Sequence, residues 1–338
     1  MFRIAINGFG RIGRNIVRAL YERPDLQDKI KIVAINDLGR LDVNAHLLRF
    51  DTVHGRFIDQ VTLDDASITI NNDEIQWISE RDPSKLPWQQ LGVDLVCECT
   101  GAFTQREQAA LHLTAGAKQV LISAPGADAD ATVVFGINDH VLDGSQRIIS
   151  NASCTTNCLA PVVKVLHEAL GIRHGCITTI HDVTNTQTIL DAHHKDLRRS
   201  RACGMSLIPT TTGSATAITH IFPDLKGKLN GHAVRVPLAN ASLTDCVFEM
   251  GCPTSVDQIN LLLQEAAESG PLKGILGFEE QPLVSIDYRT DPRSCIVDAL
   301  STMVINDTQV KLYLWYDNEW GYVNRAAELA NYICANDH

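Results

Sequence analysis

The first half of the chain alternates short apolar runs with stretches of helical periodicity. Residues 3–7 read as a strand, 12–21 as a helix and 31–36 as a second strand, and further strand-like runs fall at 93–99, 119–123 and 132–137. Strands separated by helical patterns predict βαβ units and a parallel sheet. From about residue 176 the apolar runs lengthen and alternate, at 176–182, 231–237, 242–250, 283–289 and 309–317, which predicts a mixed sheet. Ser255-Val256-Asp257-Gln258 has the spacing of a capping box opening a helix through Ala267, and 324–334 reads as a terminal amphipathic helix. No repeat, low-complexity tract or linker stands out. The change of pattern alone puts a domain boundary near residue 150.

Composition narrows the picture without altering it. A chain of 338 residues with 45% hydrophobic residues buries enough surface for two domains. Twenty-nine basic against 40 acidic residues, a net charge of −11, argue against nucleic acid or a membrane surface as the main partner. No apolar run approaches the roughly 18 residues of a membrane span, and the opening Met-Phe-Arg-Ile-Ala-Ile is too short for a signal peptide and already strand-like. A cytoplasmic protein is expected. The ten cysteines are scattered and are expected to be mostly buried free thiols. Cys97-x-Cys99 and Cys154-x₃-Cys158 are the close pairs, and neither has a second cluster at zinc-site spacing, so no metal site is expected.

The first candidate chemistry lies at the end of the first strand. Gly8-x-Gly10-x-x-Gly13 sits between that strand and a helix, and Asp37 follows Gly13 by 24 positions, after the second strand. Gly8 permits a tight turn, Gly10 lets the backbone approach a pyrophosphate, and Gly13 allows close packing of helix on strand. The helix N-terminus offers free N–H groups to the phosphates. An acid at position 37 would accept hydrogen bonds from ribose hydroxyls and repel a 2′-phosphate, favouring NAD over NADP. Doubly wound sheets of this kind carry methyltransferases, reductases and dehydrogenases alike.

A nucleophile comes next. Cys154 precedes a helix with apolar positions Leu159, Val162, Val163, Leu166 and Leu170, with Pro161 expected in its first turn. Unpaired N–H groups at the helix mouth favour the thiolate, and Ser153 and Thr155 add hydrogen-bond donors. Cys158, one turn further, reads as a buried small hydrophobe. His181 stands 27 residues on, at the end of an apolar run, where its imidazole can pair with the thiolate and move the proton of a thiohemiacetal. The expected fold class is thus α/β, a Rossmann-type dinucleotide-binding domain plus an α+β catalytic domain with a mixed sheet.

With these residues in place the chain resembles, over nearly its whole length, the phosphorylating glyceraldehyde-3-phosphate dehydrogenase family. The resemblance is carried by Asn-Gly-Phe-Gly-Arg-Ile-Gly-Arg at 7–14, Ala-Ser-Cys-Thr-Thr-Asn-Cys at 152–158, His-Lys-Asp-Leu-Arg-Arg at 194–199, Pro-Thr-Thr-Thr-Gly at 209–213 and Trp-Tyr-Asp-Asn-Glu-Trp-Gly at 315–321. It implies that Cys154 attacks the aldehyde of glyceraldehyde 3-phosphate, that His181 takes the proton, and that hydride passes to NAD. Inorganic phosphate then cleaves the thioester to give 1,3-bisphosphoglycerate. It further implies Thr184, Thr186 and Arg235 for the substrate phosphate, and Ser153, Thr155, Arg198, Thr212 and Gly213 for inorganic phosphate. For the cofactor it implies Gly8, Gly10, Arg11, Ile12, Gly13, Asp37, Arg81, Thr100, Gly101, Phe103 and Ser123. Asn318 would orient the nicotinamide amide and Tyr322 would pack behind the ring. The corresponding division is a dinucleotide domain at 1–153, a catalytic domain at 154–317 and a C-terminal helix at 318–338 packing back on the first, in a homotetramer.

Two positions depart from the family pattern. The family usually reads His-Ala-Tyr-Thr where this chain has His181-Asp182-Val183-Thr184. Strand alternation is expected to point Asp182 away from Cys154, whereas an acid facing the site would raise the pKa of His181. His193 stands where NAD-preferring relatives commonly have proline near the adenosine ribose, while Leu38 is family-like, so NAD remains the expectation. Arg199 reads as part of a solvated basic run. Three alternatives accompany the leading reading. Erythrose-4-phosphate dehydrogenase is resembled by Leu86-Pro87-Trp88 and 91–94, but it lacks the element found here as Thr211-Thr212-Gly213. A bacterial arsenate-resistance branch, in which arsenate replaces phosphate and 1-arseno-3-phosphoglycerate forms, is resembled at 171–175, 181–187 and 231–249. The third is a non-catalytic nucleotide-binding protein.

Overall fold

A computed structural model describes residues 1–126 and 128–336. The chain divides into two compact units, Met1–Ser153 with Val323–His338, and Cys154–Tyr322.

The first unit is built on a sheet of nine strands among the described residues, in the order Ala131–Thr132, Ile148–Ser150, Gln119–Ile122, Leu95–Glu98, Phe2–Asn7, Ile30–Asn36, Asp73–Ile78, Ser67–Ile70, Val61–Leu63. The first seven run parallel and the last two complete an antiparallel edge. Ile4, Ala5 and Ile6 are fully buried, as expected of a central parallel strand covered on both faces. The strand expected at 132–137 is only a two-residue pairing. Gly136 takes φ 81°, and the side chains of Asn138 and Asp139 accept the N–H groups of Val134 and Gly136, so the chain turns off the sheet edge. The terminal helix spans Trp320–Ala335 rather than 318–338, and residues 337 and 338 lie outside the described residues. Asp317 accepts the N–H groups of Glu319 and Trp320, which starts the helix two residues later than expected. From within the first unit, Glu328 of this helix pairs with Arg23 at 2.9 Å, and Tyr332 meets the Phe135 ring edge-on.

The second unit carries the mixed sheet, in the order Ile208–Thr211, Leu229–Arg235, Ile172–His181, Ser242–Met250, Gln309–Tyr316, Cys295–Asp298, Leu276–Glu279, with Met303–Ile305 paired to Gln309–Tyr316. Burial alternates along Ser242–Met250 as a strand requires, with polar Ser242 and Thr244 on the buried face and apolar Leu243 and Val247 on the half-buried one. The run at 283–289 is not a strand. Val284 and Ile286 are exposed, and the Asp287 carboxylate accepts the Val284 N–H, closing a 3₁₀ turn at Ser285–Tyr288 whose buried Tyr288 stacks on Trp315. Ser255 caps the helix Val256–Glu268 by accepting the Gln258 N–H, but the Gln258 side chain accepts from Thr254, so only half of the capping box forms. Among the described residues no helix is long and apolar enough to cross a membrane. All ten cysteines are free, yet only Cys97, Cys158, Cys246 and Cys295 are buried, fewer than the sequence suggested. Cys176 is exposed because its strand, Ile172–His181, covers only one face with core.

Candidate active site

In the first unit, a cleft of about 290 Å³ opens at the carboxyl ends of Phe2–Asn7, Ile30–Asn36 and Leu95–Glu98. This is where strand order reverses, the place such sheets bind ligands. Gly8, Gly10, Asp37, Arg81, Thr100 and Phe103 line it, together with Asn7, Asn36, Leu38, Glu80 and Cys99. The three glycines have separable reasons. Gly8 takes φ 91°, and a Cβ there would lie 2.7 Å from the Thr100 nitrogen. A Cβ on Gly13 would lie 2.1 Å from the Gly8 carbonyl oxygen. A Cβ on Gly10 would meet nothing within 4 Å, so no contact within the protein demands that glycine, and the space beside it is open to a ligand. The helix Arg11–Tyr21 begins with no side-chain cap and no acid in its first turn, leaving N–H groups for an anion. Asp37 accepts from Phe9 N–H at 2.8 Å and Gly39 N–H at 2.7 Å, so the carboxylate is aligned at the cleft by the glycine turn itself. These residues fit a dinucleotide. Arg11 pairs with Asp51, half-buried Ile12 follows it, Gly101 continues the Thr100 turn at φ 70°, and Ser123 donates to the Glu98 carbonyl at 2.9 Å.

Beneath this cleft lies a buried network that no motif marks. Glu98, His112 and Asn7 are nearly inaccessible. Trp88 Nε1 donates to His112 Nδ1 at 3.0 Å, so the ring proton sits on Nε2 and is donated to Glu98 Oε2, also at 3.0 Å. Asn7 Nδ2 shares that oxygen, while Glu98 Oε1 holds the N–H of Thr100 at 2.8 Å and its hydroxyl. One carboxylate thus ties the end of the first strand to the turn that lines the cleft. Glu98→Gln turns an acceptor into a donor against these N–H groups. The expected loss is about 1–3 kcal/mol of stability, read by thermal unfolding, with weaker NAD binding by titration.

The second unit holds the candidate nucleophile. The helix Cys154–Leu170 opens on Cys154 itself, preceded by Ala152 in a left-handed conformation at φ 56°. Because the helix starts there, Pro161 falls in its interior rather than its first turn, and it withholds the N–H that the Asn157 carbonyl would otherwise receive. Cys154 Sγ lies 3.7 Å from His181 Nε2. Cys158 is fully buried, 4.0 Å from the Thr244 hydroxyl.

His181 ends the strand Ile172–His181 and is paired in register with Arg235 of the adjacent strand. Asp182 is 1% exposed, and its Oδ1 lies 2.7 Å from His181 Nδ1. Asp182 thus meets Nδ1 rather than the Nε2 that faces Cys154, but because the strand stops at His181 its carboxylate still reaches the base. Burial alone would push the His181 pKa down, but the Asp182 carboxylate and Cys154 hold it up to about 9. Asp182 is itself raised by burial, against the pull of the imidazole and the Asn318 amide.

The anion-site candidates are placed as follows. Arg235 Nη1 lies 2.9 Å from the Asp182 carbonyl and 2.7 Å from His181 Nδ1. Thr184 and Thr186 join their hydroxyls at 2.9 Å, one turn after the base. Ser153 is half-buried, while Thr155 is buried with its hydroxyl 2.9 Å from that of Tyr316. Thr212 accepts the Ser214 N–H, and Gly213 caps the helix Ser214–Ile221 without a side chain. Arg198 is exposed. Arg199 is not the solvated residue expected: half-buried, its Nε donates to Thr210 at 2.9 Å and so ties the basic loop to the strand Ile208–Thr211. Asn318 is 6% exposed and shares the Ser242 hydroxyl with Asp182, and Tyr322 is buried at the end of this unit.

Comparison with known proteins agrees with both units. The family described as glyceraldehyde 3-phosphate dehydrogenase, NAD binding domain, matches residues 2–106, and the C-terminal domain of the same family matches 153–318. The chain is 55% identical over 333 residues to glyceraldehyde-3-phosphate dehydrogenase 3 of Nostoc sp., covering 98% of each chain. It is 54% identical to glyceraldehyde-3-phosphate dehydrogenase of Pseudomonas aeruginosa and 52% identical to that of Geobacillus stearothermophilus, again with 98% of each chain covered.

Proposed function

Since the chain belongs to the glyceraldehyde 3-phosphate dehydrogenase family, we propose that it oxidises D-glyceraldehyde 3-phosphate with NAD and inorganic phosphate, forming 1,3-bisphosphoglycerate. The observation that carries this reading is the Cys154–His181 pair, 3.7 Å apart at the mouth of a helix. The Cys154 thiolate adds to the aldehyde carbon while His181 Nε2–H stabilises the developing oxyanion, giving a thiohemiacetal. His181 then takes the hydroxyl proton as the carbon gives up hydride, leaving a thioester on Cys154. NAD, when bound, supplies the hydride acceptor. Phosphate attacks the thioester carbonyl, the C–S bond breaks and the Cys154 thiolate returns.

Arg235, Thr184 and Thr186 are assigned to the substrate phosphate, and Ser153, Thr155, Arg198, Thr212 and Gly213 to inorganic phosphate, with arginine chosen for its match to phosphate oxygens. Asp37, Arg81, Ser123, Asn318 and Tyr322 are assigned to the cofactor with the glycine turn. In this reading residues 1–153 bind NAD and 154–317 carry the chemistry, in a cytoplasmic homotetramer. The exposed apolar side chains of Ile189, Leu190, Leu197, Met205 and Leu207 support a second copy as the partner of that loop. Light scattering on the purified protein tests the assembly.

For the reaction, NADH formation is followed with glyceraldehyde 3-phosphate and with erythrose 4-phosphate, each with and without phosphate. The expected result is a phosphate-dependent rate with a higher kcat/KM on glyceraldehyde 3-phosphate. A higher kcat/KM on the four-carbon sugar, independent of phosphate, overturns the assignment.

A further inference from the structure

Three groups converge on His181 Nδ1: Asp182 Oδ1 at 2.7 Å, the Asp182 carbonyl at 2.9 Å and Arg235 Nη1 at 2.7 Å. The carboxylate and carbonyl only accept, and the guanidinium only donates. A bare Nδ1 would set its lone pair against two acceptors at contact distance. With Nδ1–H donating to Asp182 Oδ1 and Arg235 donating to the Asp182 carbonyl, 2.9 Å away, both acceptors are satisfied and a single like-charged contact, Arg235 Nη1 on Nδ1, is left. That leaves Nε2 as the nitrogen facing Cys154.

Asp182 is held in turn. Its N–H donates to Ser242 Oγ at 3.1 Å, and the Ser242 hydroxyl stands 3.3 Å from Asp182 Oδ1 and 3.4 Å from Asn318 Oδ1. The second carboxylate oxygen, Oδ2, is buried without a hydrogen bond. A buried carboxylate in that position costs free energy unless an opposite charge faces it. The imidazolium of His181 is that charge.

We propose that Asp182 is a positioning residue: through Nδ1 it locks the His181 ring with Nε2 on Cys154 and sets the pH above which the reactive pair is lost. The proposal rests on the dehydrogenase reading only for the pair's purpose, since the contacts stand by themselves. The other charged and titratable groups facing the pair are Cys154 from its helix, Arg235 from the adjacent strand with Arg199 behind it, the Tyr316 ring edge-on at 6.2 Å, and Glu319 beyond Asp182. Arg235 opposes the imidazolium. Among these groups Asp182 is the anion in direct contact with Nδ1. Burial pushes the Tyr316 hydroxyl far above its ordinary value, so it contributes no charge near neutrality.

The test is the pH dependence of iodoacetamide alkylation at Cys154, followed on its peptide by mass spectrometry, in wild type, Asp182→Asn and Asp182→Ala. Alanine is the residue the family usually carries at this position. The lower inflection marks formation of the thiolate–imidazolium pair and the upper one loss of the imidazolium proton. The upper inflection is expected near the elevated His181 value in wild type and lower by about one pH unit or more in both variants. The kcat of the variants should accordingly fall more at pH 8.5 than at pH 7, by roughly several-fold. A folded variant whose upper inflection stays within about 0.3 of the wild-type value overturns the proposal. Should neither variant fold, a wild-type upper inflection at about 7 or below, where an unassisted imidazole titrates, overturns it equally. Alkylation uses neither aldehyde, phosphate nor NAD. An unchanged inflection therefore counts against Asp182 alone, whereas wild-type protein that forms no NADH counts against the dehydrogenase reading.

Discussion

Cys154→Ser is expected to lower phosphate-dependent NADH formation by about 10⁴-fold or more while leaving thermal unfolding and NAD binding unchanged. A serine hydroxyl in the same place stays protonated, because an alkoxide is far more basic than the His181 imidazole. The thiol is different: sulfur is the more polarisable nucleophile and stands 3.7 Å from the ring nitrogen that exchanges protons with it. The residue is only partly exposed and its side chain is small, so the substitution removes chemistry without disturbing packing. Stopped-flow absorbance at 340 nm measures both the burst and the steady rate. Retention of even about a tenth of wild-type turnover would mean that another group forms the thioester.

Gly13→Ala is expected to be the most damaging change in the first unit. The added Cβ would stand 2.1 Å from the Gly8 carbonyl oxygen and 3.1 Å from Ile6, both parts of the strand and turn that hold the cleft. The helix Arg11–Tyr21 must move off the sheet, with an expected loss of about 3 kcal/mol or more and at least a tenfold weaker NAD affinity. Gly10→Ala supplies the contrast. Its Cβ meets nothing within 4 Å, so unfolding should shift by less than about 0.5 kcal/mol while NAD affinity still falls. Calorimetric unfolding paired with NAD titration separates the two. Equal stability losses in both variants would contradict the distinct roles given to these glycines.

What could be read from the sequence was what is written locally. Gly8, Gly10, Gly13 and Asp37 fall within one βαβ unit, so their spacing specifies their geometry. Cys154 was legible as a helix-mouth residue, and the structure shows the helix opening at that residue. His181 was legible as a candidate partner at the end of an apolar run 27 residues on, but the register that brings that strand end to the helix mouth is tertiary. Glu98 and His112 were silent for the same reason. One lies in a strand and the other in a helix, 14 residues apart, with no motif to mark that the two share a proton. Errors arose where local hydrogen bonds override a periodic pattern. Asp287 turned an alternating run into a 3₁₀ turn, and Gly136 with Asn138 ended a strand after two residues. For Asp182 the contact with His181 Nδ1 was not settled by pattern, because a period of two says nothing about the residue after the last pair.

The carboxylate of Asp37 ties the Phe9 and Gly39 N–H groups and lies 3.3 Å from the Asn44 amide, so the acid expected to choose the cofactor is also a strut of the turn that receives it. A lineage shifting its preference toward a 2′-phosphorylated cofactor must remove that charge and the strut together. The first step of such a change weakens the scaffold before any new affinity is gained. Evolvability at this position therefore depends on stability held in reserve elsewhere in the first unit, and variants that switch cofactor should arise more readily in backgrounds already carrying stabilising substitutions there.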